Sequence, residues 1–482
     1  MFPCWEIAPP CLEGFYISRL YVTRRLKELR RCCLIGKLRK CCLTDTPCAY
    51  KVLRKCCLTD KMYKKTVLDN GVRVVTCHMP NMRSASFGLW FGVGGRFETK
   101  KNNGISHFLE HMCFKGSKRF SGEQIKQLIE GVGGSLNAFT AEEFTCYLAK
   151  VLPKYLEQSF EIISDMAVNP LVDKKELEKE RFVILEEIRM YRDQPQSYVY
   201  ELLDELLWPG HPLGMNLAGT FDTVKKIKQE DILSFNNKFY SSPNIVAVAS
   251  GNVSHEEFLN ICTRHLSRLS KGSKNSFSAF NQQSKKSFNL FFKNTEQSHI
   301  ALGFEALRRG HPDRHALMLI HIILGANMSS RLFDELREKR GLAYAISSHL
   351  KQLADTGAFI VHAGVDNNKL CQALEIIFKE LNKIKSEYVS DSEFQRAKDF
   401  YLGQLTFALE QTMEEMFYMG EQTISLDKVR THAEIIRELE KVDVDDIKRL
   451  AGKIFSDEKI NLAVIGPVSD KDKSGIKKKC LL

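Results

Sequence analysis

His107-Phe108-Leu109-Glu110-His111 is the stretch whose reading decides this chain. On an α-helix, positions i, i+3 and i+4 share one side, so two imidazoles can hold a single metal ion while Glu110 stands beside them, placed to take a proton. The competing reading of these five residues alone is a solvated helix face that carries two histidines. The flanks favour a helix: Asn103 or Ser106 can cap its start, and Gly116 can end it after Met112-Cys113-Phe114-Lys115.

A catalytic zinc needs a third protein ligand and an open fourth position. The segment Asp173 to Arg192 reads as one long helix, with Asp173 as N-cap, Glu176 three residues later and an end near Gln194-Pro195. Its apolar stripe is Leu177, Val183, Ile184 and Ile188. Glu180 and Glu187 fall on that stripe, whereas Glu186 is turned about 100° away. Carboxylates on a buried face need a cation or strong donors. That requirement selects Glu187 over Glu186 as a ligand and leaves Glu180 to orient a site residue. The alternative is that both are partly exposed and salt-bridged.

With these residues in hand, His107-Phe-Leu-Glu-His-Met-Cys-Phe-Lys-Gly116 and Glu180-Arg-Phe-Val-Ile-Leu-Glu-Glu187-Ile-Arg-Met-Tyr-Arg-Asp193 resemble the inverzincin metallopeptidases, the pitrilysin family. In length the chain is similar to processing-peptidase-like bacterial members and to the mitochondrial processing peptidase beta subunit. The resemblance covers about residues 62 to 467. It implies that His107, His111 and Glu187 bind one Zn2+, that Glu110 is the general base and that Glu180 supports the site. Gly133-Gly-Ser-Leu-Asn137-Ala138-Phe139-Thr140 resembles the family's edge strand, on which a substrate peptide adds as an extra strand held at Asn137, Ala138 and Phe139. An ordinary hairpin would explain the two glycines equally well. Arg337 and Tyr344, seven apart, resemble the family's pair that reaches across to the peptide. As isolated residues they read as a surface charge and a packed aromatic.

Composition bounds the remainder. The chain has 482 residues, 44 % of them hydrophobic, enough for two or more domains. No apolar run reaches the roughly 18 residues of a membrane span. The net charge of +11 is unevenly placed: residues 1 to 61 hold 13 Lys or Arg against 5 acids, and the rest of the chain 57 against 54. A nearly balanced main body argues against nucleic acid as a partner. Nine of the fifteen cysteines precede residue 60, in near-copies Leu29-Arg-Arg-Cys-Cys-Leu34, Leu38-Arg-Lys-Cys-Cys-Leu43 and Leu53-Arg-Lys-Cys-Cys-Leu58. Three readings compete for this stretch: a targeting segment, a palmitoylated or metal-binding tail, or repetitive sequence ahead of a true start at Met62. The last is preferred, since a strand-like run begins at Tyr63.

The resemblance implies an α+β fold, with two homologous α/β-sandwich halves, each an antiparallel sheet with helices packed on it, closing like the family's clamshell. Residues 62–269 form the catalytic half, 270–287 a polar linker, 288–467 an inactive copy and 468–482 a basic tail. Asn70-Gly71 marks a hairpin, Ser121 a capping box, and Ile245 to Val248 the closing strand of the first half. The second half offers His311, His315 and His321 with no Glu at the needed spacing. The expected function is a zinc-dependent endopeptidase acting on unfolded peptides or presequence-like segments. The alternative is a silent homologue serving as a structural or partner subunit of a processing-peptidase or respiratory complex. Either would pair as a homodimer or with a related subunit. The Met-Tyr-Arg-Asp-Gln-Pro195 ending favours bacterial-type members and the cytoplasm, with the mitochondrial matrix as the alternative if the N-terminus is a targeting segment.

Overall fold

The computed structural model describes residues 63–282, 285–468 and 470–481, so the N-terminal repeats and Met62 lie outside the described residues. Asn70-Gly71 turns the chain between β1 (Lys64–Val67) and β2 (Arg73–His78), which pair antiparallel. With β3 (Ala85–Phe91), β4 (Ser135–Thr140), β5 (Thr145–Val151) and β6 (Ile245–Gly251) they build a six-stranded sheet in the order β1-β2-β6-β3-β5-β4. Only β2 and β6 run parallel. The second sheet is formed by β7 (Ser287–Phe292), β8 (Gln297–Glu305), β9 (Ala343–Gln352), β10 (Gly357–Asp366) and β11 (Asn461–Gly466), ordered β7-β11-β8-β10-β9. Its one parallel pair is β7 with β11. If β1 is set aside, the two orders superimpose term by term, so the second half repeats the topology of the first. In that correspondence β4 and β9 are the matching edge strands.

The inner strands β3, β6 and β11 are apolar on consecutive positions because both of their faces are buried. In β6, Ile245, Ala247 and Ala249 face one core, and Val246 and Val248 face another. The first core lies under helices of the same half, including Ile105–Cys113, Leu156–Val168 and Lys174–Asp193. The second core is closed from elsewhere in the chain. Helix Thr412–Leu426, far along the sequence, lays Met416, Phe417 and Met419 against Trp90, Phe139, Phe144 and Val248 of the first sheet. The exchange is mutual: helix Pro195–Leu207 of the first half places Val199, Leu202 and Leu203 on Ala301, Ile360 and Ile465 of the second sheet. Each half thus lends the other a helix.

Between residues 270 and 286 the described residues form no helix or strand, yet Phe280 is buried and Asn275 donates hydrogen bonds to Gly92 O and Phe239 O, so this polar connection is tied down. The basic C-terminal stretch differs from a plain tail. Asp470–Lys479 is helical and buries Ile476 and, one turn on, Cys480. No helix among the described residues is long and apolar enough to cross a membrane.

Gly420 is where the borrowed helix touches Trp90, and a Cβ there would overlap the indole ring. Trp90 is fully buried and hemmed by Phe139, Phe144 and Phe417, so it cannot step aside. Gly420→Ala is expected to destabilise by about 1–3 kcal/mol, read as a lower thermal midpoint. Gly403→Ala, in a helix where the added carbon meets nothing within 4 Å, is expected to be neutral or to stabilise by up to about 1 kcal/mol.

Candidate active site

The motif helix spans Ile105–Cys113, and its start differs from the expectation that Asn103 or Ser106 caps it. The N-cap position is Gly104, whose φ of 93° suits a residue without a Cβ. The missing cap oxygen comes from Glu98, buried in the preceding loop. Its Oε2 accepts from Gly104 N at 2.7 Å and Asn103 Nδ2 at 3.0 Å, and its Oε1 accepts from Ser106 N at 2.8 Å. Burial pushes the Glu98 carboxyl above its usual range, and those donors pull back. Nothing in the sequence flags Glu98, because it precedes the helix by six residues and belongs to no capping pattern.

The second helix begins after Asp173, whose carboxylate accepts from Lys175 N and Glu176 N, and it runs to Asp193. Leu177, Ile184 and Ile188 are buried as expected, but Val183 is exposed. Val183 lies about 120° round the helix from Leu177, whereas Leu185, about 80° to the other side, is buried. Glu180 is buried, Glu187 half-buried and Glu186 exposed. The helix phase thus separated the three carboxylates correctly.

These two helices bring His107, His111 and Glu187 together, with one ligand atom from each lying within 4.8 Å of the others. His107 Nε2 is 3.9 Å and His111 Nε2 3.6 Å from Glu187 Oε2, too long for hydrogen bonds. Both ring nitrogens of His107 and Oε2 of Glu187 are buried without a hydrogen-bond partner among the described residues. Buried polar atoms in that state call for a cation, and two imidazoles with one carboxylate form a donor set suited to catalytic zinc. Burial, then the nearby His111, depress His107 far below the ordinary imidazole range, which keeps it a neutral donor. Burial raises Glu187, with His111 opposing and Glu180 adding to the rise.

Glu180 touches the site through His111. Its Oε2 lies 3.0 Å from His111 Nδ1 and its Oε1 2.5 Å from Lys115 Nζ. Burial opposes ionisation of Glu180, and the bonds to His111 and Lys115 outweigh it, holding the carboxyl below its usual range. An ionised Glu180 accepting from Nδ1–H fixes the tautomer that leaves Nε2 as the donor atom.

Glu110 is buried on the same helix and accepts from Thr140 Oγ1 at 2.6 Å. Burial pushes its carboxyl up to about 7, against the pull of His111 and Thr140 and with a further push from Glu187. Thr140 ends β4, so the carboxylate and the edge strand are in direct contact. On that strand Asn137 Oδ1 accepts from Ala138 N at 2.8 Å, and Ala138 is buried. The Phe139 ring turns to the opposite face, edge-on to Trp90 at 5.6 Å and tilted on Phe417 at 5.8 Å. Its side chain is therefore a packing group of the inter-half core, and only its backbone belongs to the edge.

The turn after β4 is held by a network of buried charges. Arg96 donates to Glu143 Oε1 at 2.7 Å, to Asp355 Oδ2 at 2.5 Å and to Ser278 O at 3.0 Å. From the second half, Arg309 donates to Glu143 Oε2 at 3.0 Å, and Ala354 N donates to Glu143 Oε1 at 3.0 Å. The β4–β5 and β9–β10 turns therefore meet, each half supplying an arginine.

Arg337 and Tyr344 are also brought together, with the guanidinium 5.6 Å from the Tyr344 ring centroid. Arg337 sits on a π-helical turn, Phe333–Glu338, and Tyr344 is 75 % exposed rather than packed. Among the described residues, no hydrogen bond or ion pair joins the side chains of this pair to the histidine cluster. In the second half His315 contacts Glu438 at 2.9 Å and His321 contacts Ser348 Oγ at 2.7 Å, and neither belongs to a metal-ligand group among the described residues.

Comparison with known proteins gives this arrangement a family. Residues 73–221 match the model of the insulinase peptidases, family M16, and residues 226–401 that of the M16 inactive domain. The uncharacterized zinc protease YmxG of Bacillus subtilis (strain 168) is 35% identical over 406 residues, which are 84% of this chain and 98% of that protein. A protease of Helicobacter pylori shares the fold with a TM-score of 0.79 at 23% identity, over 85% of this chain and 100% of that one. A chain of complex III2 from Candida albicans, with Inz-5 bound, does so with a TM-score of 0.77 at 21% identity, over 87% and 100%. With both halves matched and a relative of this identity aligned along most of its length, the chain belongs to peptidase family M16.

Proposed function

We propose that the protein is a zinc-dependent endopeptidase that hydrolyses unfolded peptides or presequence-like segments, with one zinc per chain. The observation that carries this reading is the buried His107, His111 and Glu187 cluster beside a buried Glu110. Zinc held by those three residues supplies, when bound, a Lewis acid that acidifies water and polarises the scissile carbonyl. Glu110 takes the proton of the attacking water and hands it to the leaving amine. Thr140 fixes one carboxylate oxygen of Glu110 and leaves the other for that transfer. Glu180 keeps His111 in the ligand tautomer. The substrate adds along the open edge of β4, where Asn137 and the backbone of Ala138 and Phe139 hold its main chain. Arg337 and Tyr344 approach the peptide from the second half and stabilise developing negative charge.

Fold likeness to a chain of complex III2 supports a second reading, a silent subunit paired with a relative. The retention of His107, Glu110, His111 and Glu187 favours chemistry, since a silent subunit has no use for that combination.

Zinc content and cleavage of an unstructured basic peptide test the reading. Glu110→Gln is expected to keep zinc and to lose about 10²–10⁴-fold in kcat, and equal rates in mutant and wild type would falsify the proposed role of Glu110. Chelation should abolish cleavage and one equivalent of zinc restore it, whereas activity that survives chelation would exclude a metal mechanism. Since β-addition draws its affinity from backbone hydrogen bonds, N-methylating the peptide at the amides that face β4 is expected to raise KM about tenfold or more, the loss of one or two bonds. Altering single side chains should change KM less; the reverse ranking would rule out strand addition.

A further inference from the structure

The segment Gly94-Gly-Arg-Phe-Glu98 follows β3 and makes two sets of contacts that pull in different directions. Its first part grips the hairpin of the edge strand. Gly95 N donates to Ala141 O at 3.2 Å and Arg96 N to Glu142 O at 2.8 Å, while a Cβ on Gly94 would overlap Ala141 O. The Arg96 side chain, stacked on Phe277 at 3.8 Å, binds Glu143 of the same turn and Asp355 of the second half. Its last residue grips the motif helix, through the bonds from Glu98 to Gly104 N and Ser106 N. Ser106 immediately precedes His107. A single residue, Phe97, therefore separates the group that fixes the substrate edge from the group that fixes the helix bearing His107, Glu110 and His111.

We propose that Glu98 is a positioning residue for the metal-binding helix and Arg96 a positioning residue for strand β4, so that this five-residue segment sets the separation between catalytic helix and substrate strand. The inference rests on the zinc peptidase reading above. It assigns different kinetic roles to two charges only two positions apart in the sequence. The carboxylate of Glu98 is the only side-chain oxygen of the described structure bonded to the first-turn amides of the motif helix, so its removal frays the end nearest His107. Arg96 has three acceptors in a fork geometry that Lys cannot reproduce, so Arg96→Lys loosens the β4–β5 turn and leaves the helix cap intact.

The test measures zinc affinity by chelator competition, alongside kcat and KM on one unstructured peptide, for wild type, Glu98→Gln and Arg96→Lys, each first checked for a cooperative thermal transition. Glu98→Gln is expected to bind zinc about 10–100-fold more weakly and, at saturating zinc, to lose kcat with KM within twofold. Arg96→Lys is expected to keep wild-type zinc affinity and raise KM about tenfold. Wild-type protein that binds no zinc or leaves the peptide uncut overturns the peptidase reading. Active wild type with Glu98→Gln zinc affinity within twofold, or with both variants losing kcat and KM in parallel, overturns this inference alone. Hydrogen exchange on unmutated protein tests it even if a variant does not fold. If Glu98 couples the cap to the metal, zinc must slow exchange at Gly104 and Ser106 by linkage, and unchanged exchange there counts against the proposal.

Discussion

Arg96 carries a full charge where water reaches 2 % of its surface, and two carboxylates, one from each half, answer it. An ion so desolvated is tolerated only when its partners are held in place, and removing one partner leaves the other uncompensated. Glu143 is itself shared with Arg309 and with the amide of Ala354. The relative position of the halves is thus fixed at one point by charges that cannot be satisfied in any other arrangement. Everything near the site is measured from there: the β4–β5 turn, the edge strand that runs into it, and Thr140, which reaches Glu110. Lys351 extends the same logic, bridging Glu142 of the edge hairpin to Asp204 of helix Pro195–Leu207.

Around that point the two halves divide the work unevenly. The first keeps the histidines and the carboxylates, and the second keeps the fold without the metal set. Its helix Arg314–Leu324 follows β8 as the motif helix follows β3, yet His315 is engaged by Glu438 and Tyr401 instead of a cation site. What the second half contributes is support: Phe417 beneath Phe139, Asp355 against Arg96, and the exposed Tyr344 beside Arg337.

Much of the site was legible in the sequence because helical phase is a local property. The i, i+3, i+4 spacing brought the histidines and Glu110 to one helix side, and phase alone separated Glu187 and Glu180 from Glu186. Phase misled only at Val183, counted into a stripe from which it is about 120° displaced. The β1–β2 hairpin and strand β6 followed from turn residues and an apolar run, and the paired halves from the family resemblance. What escaped were contacts between distant segments. Glu98 reads as an unremarkable loop acid until the helix start folds onto it, and Phe139 could be placed on a strand but not on a face. The exchanged helices were invisible, since a buried stripe does not say which sheet buries it. The cap choice of Asn103 or Ser106 failed for a related reason: the oxygen that satisfies those amides comes from outside the window in which caps are sought.

The exchanged helix also bears on how the molecule comes into being. Ser86 of β3 bonds Thr412 across 326 residues of chain, and Phe139, whose backbone belongs to the open edge, rests on Phe417. During synthesis from the N-terminus, the motif helix and its histidines are complete long before the helix that closes the far side of their sheet has left the ribosome. The emerging first half already contains the motif helix, while the apolar face formed by Trp90, Phe139 and Phe144 still lacks its cover. Completion of the core between the halves is thereby deferred to a late stretch of translation, well after the helix that carries His107, Glu110 and His111 has been synthesised.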